Sequence, residues 1–293
     1  MQATLEGHGS APGTCGEFAQ GPLPNGAQFH VTCPIDERSS VSVELCEAAE
    51  YSVSGLSAHQ HKLQRALRYT CEHLDLGKVA IRVRHRSDLD VAKGMGSSTA
   101  DVLAGIRAIA TAVGTQLTPA IEGRLATRVE SSDGTMYRGI TVANQKTGAE
   151  LRRWAWYPEF VIVMLVPHDS VITETASFAG KEVLAREYEA LLGEFDQAIE
   201  RRSISEFAAL STRAATLNAA YVPNPYAELL ARRLSELGAL GLNVGHSGTV
   251  CGILYPNTEQ GRARAGEVRL RLRRGFAALR DVRLVRTPAC PSS

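Results

Sequence analysis

The sequence predicts a mixed α/β protein of two lobes that meet near residue 155, β-rich before it and helix-rich after it. Three patterns carry that prediction. Apolar and polar residues alternate in short runs through the first half, helical spacing dominates after about residue 180, and a wholly apolar run at residues 160–166 separates them. Residues 40–45 alternate with Val41, Val43 and Leu45 on one side, which predicts a half-buried strand. Leu63, Ala66, Leu67, Cys71 and Leu74 recur at helical spacing, so residues 59–74 form an amphipathic helix. Val79, Ile81 and Val83 return to a strand period. From Ser98, helical spacing resumes through Val102, Ile106, Ile109 and Val113, and Gly114 is placed to stop it. Thr118-Pro119 reads as a cap and first turn for a helix reaching Val129. The run at 160–166 is too apolar to face water and belongs in the middle of a sheet. Residues 181–200 read as one helix, Ser203 and Glu206 as the capping box of the next, and Asn224-Pro225 as the start of a third. A glycine-rich loop at 243–252 leads into a strand at 251–255. The lobes are therefore set at residues 1–155 and 156–293.

Bulk properties narrow the function classes. At 293 residues, with 44% apolar and 22% charged side chains, the chain has enough material for a folded core. A formal net charge of +1 supplies no general field for nucleic acid. Arginines are spaced through 262–286, but they are interleaved with Val268, Leu270 and Leu272, as on a solvated face above a packed one. The longest apolar run is strand-sized and the N-terminus has no basic start followed by an apolar stretch, so neither a membrane span nor a signal peptide is expected. Six scattered cysteines show no Cys-x-x-Cys spacing; neither a disulfide framework nor a zinc site is expected, and a cytoplasmic, reducing location fits.

Four segments carry chemistry. The first is the run from Val91 and Ala92 through Lys93, Gly94, Met95, Gly96, Ser97, Ser98, Thr99 and Ala100 to Asp101. Its glycines let backbone approach an anion, the following helix offers unpaired amides and a positive dipole end, and its hydroxyls suit phosphate or magnesium. It lacks the Walker spacing, and Thr99 stands where the dinucleotide fingerprint needs a third glycine. A plain glycine turn capped by serine is the alternative. The second segment holds Glu130 and Asp133, a pair able to hold magnesium and to accept or orient a proton; a solvated helix end is the competing reading. The third, 243–252, has three glycines with Ser247 and Thr249 and can close over phosphates, with His246 as an orienting rather than a basic residue. The fourth, Thr14, Cys15, Gly16 and Glu17, leaves room for a ligand and offers Glu17 to an ammonium or hydroxyl; a tight turn is the alternative. Nothing near Cys15 activates it as a nucleophile.

In this order the four segments resemble the GHMP kinases, and within them the threonine kinase branch of cobalamin synthesis. The likeness rests on Pro12 to Glu17 with Gln20-Gly21, Cys33-Pro-Ile-Asp36, the loop 91–101, Glu130 to Asp133, Ala215-Thr-Leu217, Gly241 to Val244 and His246-Ser-Gly248. The resemblance implies a two-lobed α/β kinase with ATP on residues 91–100 and the helix after them. It implies Mg²⁺ on Ser98 and Glu130, Asp133 as base or orienting group, and an acceptor site of Thr14, Cys15, Gly16, Glu17, Asp36, His246, Ser247 and Gly248. The implied partner is a small hydroxyl-bearing amino acid, L-threonine first, with L-serine, homoserine or another amino alcohol as alternatives; neither nucleic acid nor membrane is implied. A silent nucleotide-binding relative is the distant alternative, against which Ser97, Ser98, Glu130 and Asp133 stand intact. The chain departs from the family twice. Asp90 replaces a usual proline, bringing a carboxylate near a triphosphate site, and Glu130 and Asp133 are more tightly spaced than in several members.

Overall fold

The computed structural model describes residues 4–168, 181–219, 223–245, 249–275 and 279–290. Among the described residues ten strands form one sheet. Strand β1 (Leu5–Pro22) and strand β2 (Gln28–Glu47) make a long antiparallel ribbon at its centre. Beside β2 lie β4 (Val79–Ser87) and, parallel to it, the short β3 (Ser52–Ser54). Beside β1 come β8 (Gly241–Val244), β9 (Cys251–Pro256), β7 (Phe160–Pro167) and β10 (Leu279–Arg286), in that order. Strand β5 (Thr141–Asn144) pairs with the first part of β2, and β6 (Glu150–Arg153) pairs with β5. The N-terminal and C-terminal strands join at a thin seam: in the β1–β8 ladder only Glu17 is registered, opposite Val244.

Most expected elements form. Val41, Val43 and Leu45 are buried on β2, and they face Leu63, Leu67 and Cys71 of α1 (His61–His73). A 3-10 turn over Ala58–Gln60 precedes α1, so the expected helix at 59–74 begins as a tighter turn. Helix α2 (Ser97–Ala112) packs on β1 and β2 and buries most of its surface; Gly114, at φ +70°, follows its C-cap Val113. The side chain of Thr118 caps α3 (Pro119–Val129) by accepting the amide of Ile121. Strand β7 is buried at every position because it is covered on both faces. Phe160, Ile162, Met164 and Val166 face α4 (Ala185–Glu200) and α5 (Ile204–Ala219). Val161, Val163 and Leu165 face α6 (Pro225–Ala231), α7 (Leu234–Leu237) and α8 (Glu259–Gly275). Burial on two faces removes the polar partner from the period-two pattern, hence the unbroken apolar run.

Three expectations are corrected. The single helix over 181–200 is a 3-10 turn, Lys181–Leu184, followed by α4. Residues 12–17, legible as a tight turn, instead continue β1, which stays in the ladder through register shifts on both sides of Glu17. Residues 243 and 244, expected to open the glycine-rich loop, instead end β8. Small residues conceal both strands, since they pack flush against neighbouring backbone without any alternating apolar signal. The arginine-bearing α8 and β10 bury Val268, Leu272 and Val282, while Leu270 faces outward. Among the described residues no helix is long and apolar enough to cross a membrane.

Candidate active site

The loop between β4 and α2 turns three times through the left-handed region, at Ala92, Gly94 and Gly96 (φ +59°, +83° and +60°). Gly96 is the N-cap of α2, and the first closed helical bond runs from the Ala100 amide to Gly96 O at 2.9 Å. By helix geometry the amides of Ser97, Ser98 and Thr99 then have no acceptor inside the helix, and together with the dipole they form an anion-receptive entrance. A side chain at position 96 is excluded twice over. Its φ is left-handed, and a Cβ there would lie 2.7 Å from Asp133 Oδ2 and 3.0 Å from Thr14. The loop is fixed by two neighbouring segments. Thr14 donates its amide to Met95 O at 2.9 Å, and the amides of Thr249 and Val250 both donate to Lys93 O at 3.2 and 3.1 Å. The two glycine-rich segments therefore touch through backbone. Lys93 is buried, and its ammonium donates to His168 O at 2.5 Å; Val91 is exposed.

Asp90 is held by β10. Its carboxylate pairs with Arg280 at 3.0 Å and with Arg283, whose guanidinium also meets Glu37 at 2.8 Å and Asp281 at 3.2 Å. Two guanidiniums on β10 neutralise the carboxylate that replaces the family's proline, so it exerts little repulsion on an anion at α2.

Beyond α3 the chain turns sharply and brings both candidate carboxylates to the α2 entrance from different directions. Ser98 donates its hydroxyl to Glu130, and Lys62 of α1 holds the other Glu130 oxygen at 2.6 Å. Asp133 faces inward. Its amide donates to Thr99 Oγ1 at 3.3 Å, its side chain is 16% exposed, and His30 Nδ1 lies 3.8 Å from its Oδ1. The same His30 nitrogen lies 3.8 Å from Glu17 Oε1. Glu17, His30 and Asp133 bring one ligand atom each within 4.8 Å of one another. Burial first, and the Glu130 charge second, push the Asp133 carboxyl up to about 6, against hydrogen bonds from Thr99 and Glu17 that pull it down. Burial first, and Asp133 second, push Glu17 well above the usual carboxylate range.

Around Glu17 the segment 14–17 is packed tightly. Thr14 and Cys15 are buried. Gly16 has φ +62°, and a Cβ there would lie 2.2 Å from Val244 O, so only glycine lets β1 approach β8. Asn243 donates its amide to Cys15 O, and the Cys15 thiol lies 3.9 Å from Asn243 Oδ1. Burial raises that thiol's pKa well above the ordinary value, in keeping with the reading that Cys15 is no nucleophile. Asp36 is exposed and accepts from the backbone amide and the guanidinium of Arg286 at 2.9 and 3.2 Å, a tie between β2 and β10. His246, Ser247 and Gly248 lie outside the described residues.

Two participants were missed from sequence. Lys62 was one polar position on an amphipathic helix, and its reach to Glu130 spans 68 residues. His30 was a lone histidine in a segment with no motif, on the first part of β2, which the strand expected at 40–45 did not include. Neither residue carries a local signal, because each owes its place to a partner far along the chain.

Residues 61–141 match the family model described as the GHMP kinases N terminal domain, and residues 196–278 match the GHMP kinases C terminal; together the two span more than half of the chain. This chain belongs to the GHMP kinases, as a small-molecule kinase. It is similar to the L-threonine kinase of Salmonella typhimurium, 29% identical over 261 residues, which cover 86% of this chain and 84% of the relative. The L-threonine kinase of Citrobacter freundii is 27% identical over 255 residues, covering 83% of this GHMP kinase and 84% of the relative. Among solved structures, mevalonate kinase from L. major in complex with R-mevalonate superposes with a TM-score of 0.71 at 14% identity, covering 100% of this chain and 98% of that one. Homoserine kinase from Cytophaga hutchinsonii superposes at 0.68 and 15%, covering 99% and 96%. At such identities the superpositions show the fold alone.

Proposed function

We propose that this GHMP kinase transfers the γ-phosphoryl group of ATP to the side-chain hydroxyl of L-threonine, giving O-phospho-L-threonine and ADP. The observation that carries this reading is the single helix entrance at α2, flanked by a hydroxyl–carboxylate pair on one side and an inward carboxylate on the other. L-threonine is favoured as acceptor by the two similar proteins of that name and by the motifs of the threonine kinase branch. L-serine and homoserine differ from it by so little that an apolar pocket would separate them by only ~1–3 kcal/mol.

In this reading the amides of Ser97, Ser98 and Thr99 and the left-handed turns at Gly94 and Gly96 cradle the triphosphate. Ser98 and Glu130 suit Mg²⁺. They are hard oxygen donors in contact with each other, and Glu130 already attracts a cation in this structure, the Lys62 ammonium. When bound, magnesium would neutralise charge on the phosphate oxygens. Asp133, at the inner side of the same helix end, takes or orients the proton of the attacking hydroxyl, residues 14–17 bound the acceptor side, and the 245–252 loop supports the phosphate side. Phosphoryl transfer needs little more than positioning and charge stabilisation, which such an arrangement provides. The two lobes at 1–155 and 156–293, a cytoplasmic location and a place in cobalamin synthesis belong to the same reading and follow from its likeness to the threonine kinase branch.

The test is ADP release with MgATP against threonine, serine, homoserine, aminopropanol and mevalonate. Threonine is expected to give the highest kcat/KM. A higher value for homoserine or serine would reassign the acceptor, and none for any amino alcohol would remove the reading.

A further inference from the structure

Glu17 stands in an unusual place. Register shifts in β1 lie on both sides of it, between Thr14 and Glu17 and between Glu17 and Ala19, so the strand re-aims this one side chain. It points to Thr32 and His30 on β2 and to the turn after α3, with a side chain only 1% exposed. Thr32 stands opposite Glu17 in the β1–β2 ladder, and its Oγ1 accepts the Gly134 amide at 3.0 Å. Glu17 and Asp133 each bring a carboxyl oxygen within 4.8 Å of the other, and the buried Glu17 Oε2 has no hydrogen-bond partner among the described residues. Two enclosed carboxyl groups this close repel each other when both are ionised, which favours one proton held between them. The more enclosed member keeps it, and that is Glu17.

We propose that Glu17 is a protonated positioning residue whose carboxyl donates to Asp133, holding a single negative charge on the member of the pair that reaches the acceptor side. Glu17 is then no contact for the substrate's ammonium. This inference rests on the reading of Asp133 as the group that takes or orients the acceptor proton. The groups facing the pair are His30 from β2, Glu130 at the head of the turn with Lys62 of α1 behind it, and the Thr99 hydroxyl of α2. Glu130 opposes ionisation of Asp133, whereas Thr99 and Glu17 favour it.

The test uses the whole protein and three variants, Glu17→Gln, Glu17→Ala and Asp133→Asn, with two independent readouts. Infrared difference spectra of the nucleotide-free protein at neutral pH are expected to show a protonated-carboxyl band that Glu17→Gln removes. In kinetics, Glu17→Gln keeps a donor toward Asp133, so kcat falls only about 3- to 10-fold and KM for the amino acid stays within about 2-fold. Glu17→Ala loses the donor. Its kcat falls about 10²-fold and the acid limb of the pH–rate profile moves to higher pH, since the Glu17 hydrogen bond holds Asp133 down. The proposal is overturned by absence of the band, or by a Glu17→Gln enzyme whose KM for the amino acid rises more than about 30-fold with kcat retained, the signature of a lost ammonium contact. Stoichiometric Mn²⁺ bound without nucleotide and lost in both Glu17→Gln and His30→Asn would also overturn it, by assigning the cluster to a cation. Full activity in Asp133→Asn with the band intact would overturn the role of Asp133, leaving Glu17 protonated but with nothing to position.

Discussion

Glu130 and Asp133 belong to one short turn, yet their surroundings differ. Glu130 faces outward between a hydroxyl and an ammonium, the company that suits an electrostatic contact with a cation. Asp133 is folded inward against a second carboxyl and a histidine, where charge is disfavoured and its pKa reaches about 6. In the proposed reading, two carboxyl groups from the same turn serve two tasks, one electrostatic and one concerned with a proton. The difference lies in what faces them, since residue type and distance along the chain are nearly the same.

The largest expected effect comes from removing the outward member. Glu130→Ala or Ser98→Ala should lower kcat at least ~10²-fold, the scale for one lost transition-state contact, with folding checked by circular dichroism. Near-wild-type turnover in a folded variant would break the comparison on its electrostatic side.

Next comes Asp133→Asn, expected to lower kcat about 10- to 100-fold and to abolish the rise of wild-type activity with pH around 6. The same variant should be more stable than wild type at pH 7. A carboxyl whose pKa is raised in the folded state contributes stability below its unfolded value, and loses it as pH rises through about 6. At pH 7 that loss is roughly 2–3 kcal/mol, which asparagine avoids. A thermal melt at pH 7 and pH 4 checks the sign: the advantage of the variant should shrink at the lower pH.

A smaller effect is expected at Arg283. Arg283→Ala leaves Asp90 with one guanidinium partner instead of two, and KM for ATP should rise about 3- to 10-fold, more at low salt than at high. An unchanged KM at low ionic strength would mean that Asp90 is harmless without its clamp. The smallest belongs to Lys62→Met. The Lys62–Glu130 pair is partly exposed, so its loss should cost less than ~1 kcal/mol of stability and change kcat by no more than about 3-fold. A loss near that of Glu130→Ala would make Lys62 itself part of the site.

Legibility followed distance along the chain. The α2 entrance was readable because its glycines, hydroxyls and helical period are contiguous between residues 91 and 113. Strand β7 was readable because burial on both faces leaves an unbroken apolar word. Strands β1 at residues 12–17 and β8 were not, because their small residues show no alternation and acquire strand geometry from flush packing across the β1–β8 seam. The arrangement of the carboxylates was half legible: their presence could be read, the different surroundings of Glu130 and Asp133 could not.

By itself the sequence determined the elements, the helix entrance built for an anion, and the inventory of hydroxyl and carboxyl groups near it, since backbone geometry and hydrophobic period act over a few residues. Tertiary structure alone decided that Glu17, His30 and Asp133 converge, that Lys62 attends Glu130, and that Arg283 holds Asp90. Those partners are contributed by strands and helices remote in the chain, and burial and charge belong to the assembled neighbourhood, which no local pattern encodes.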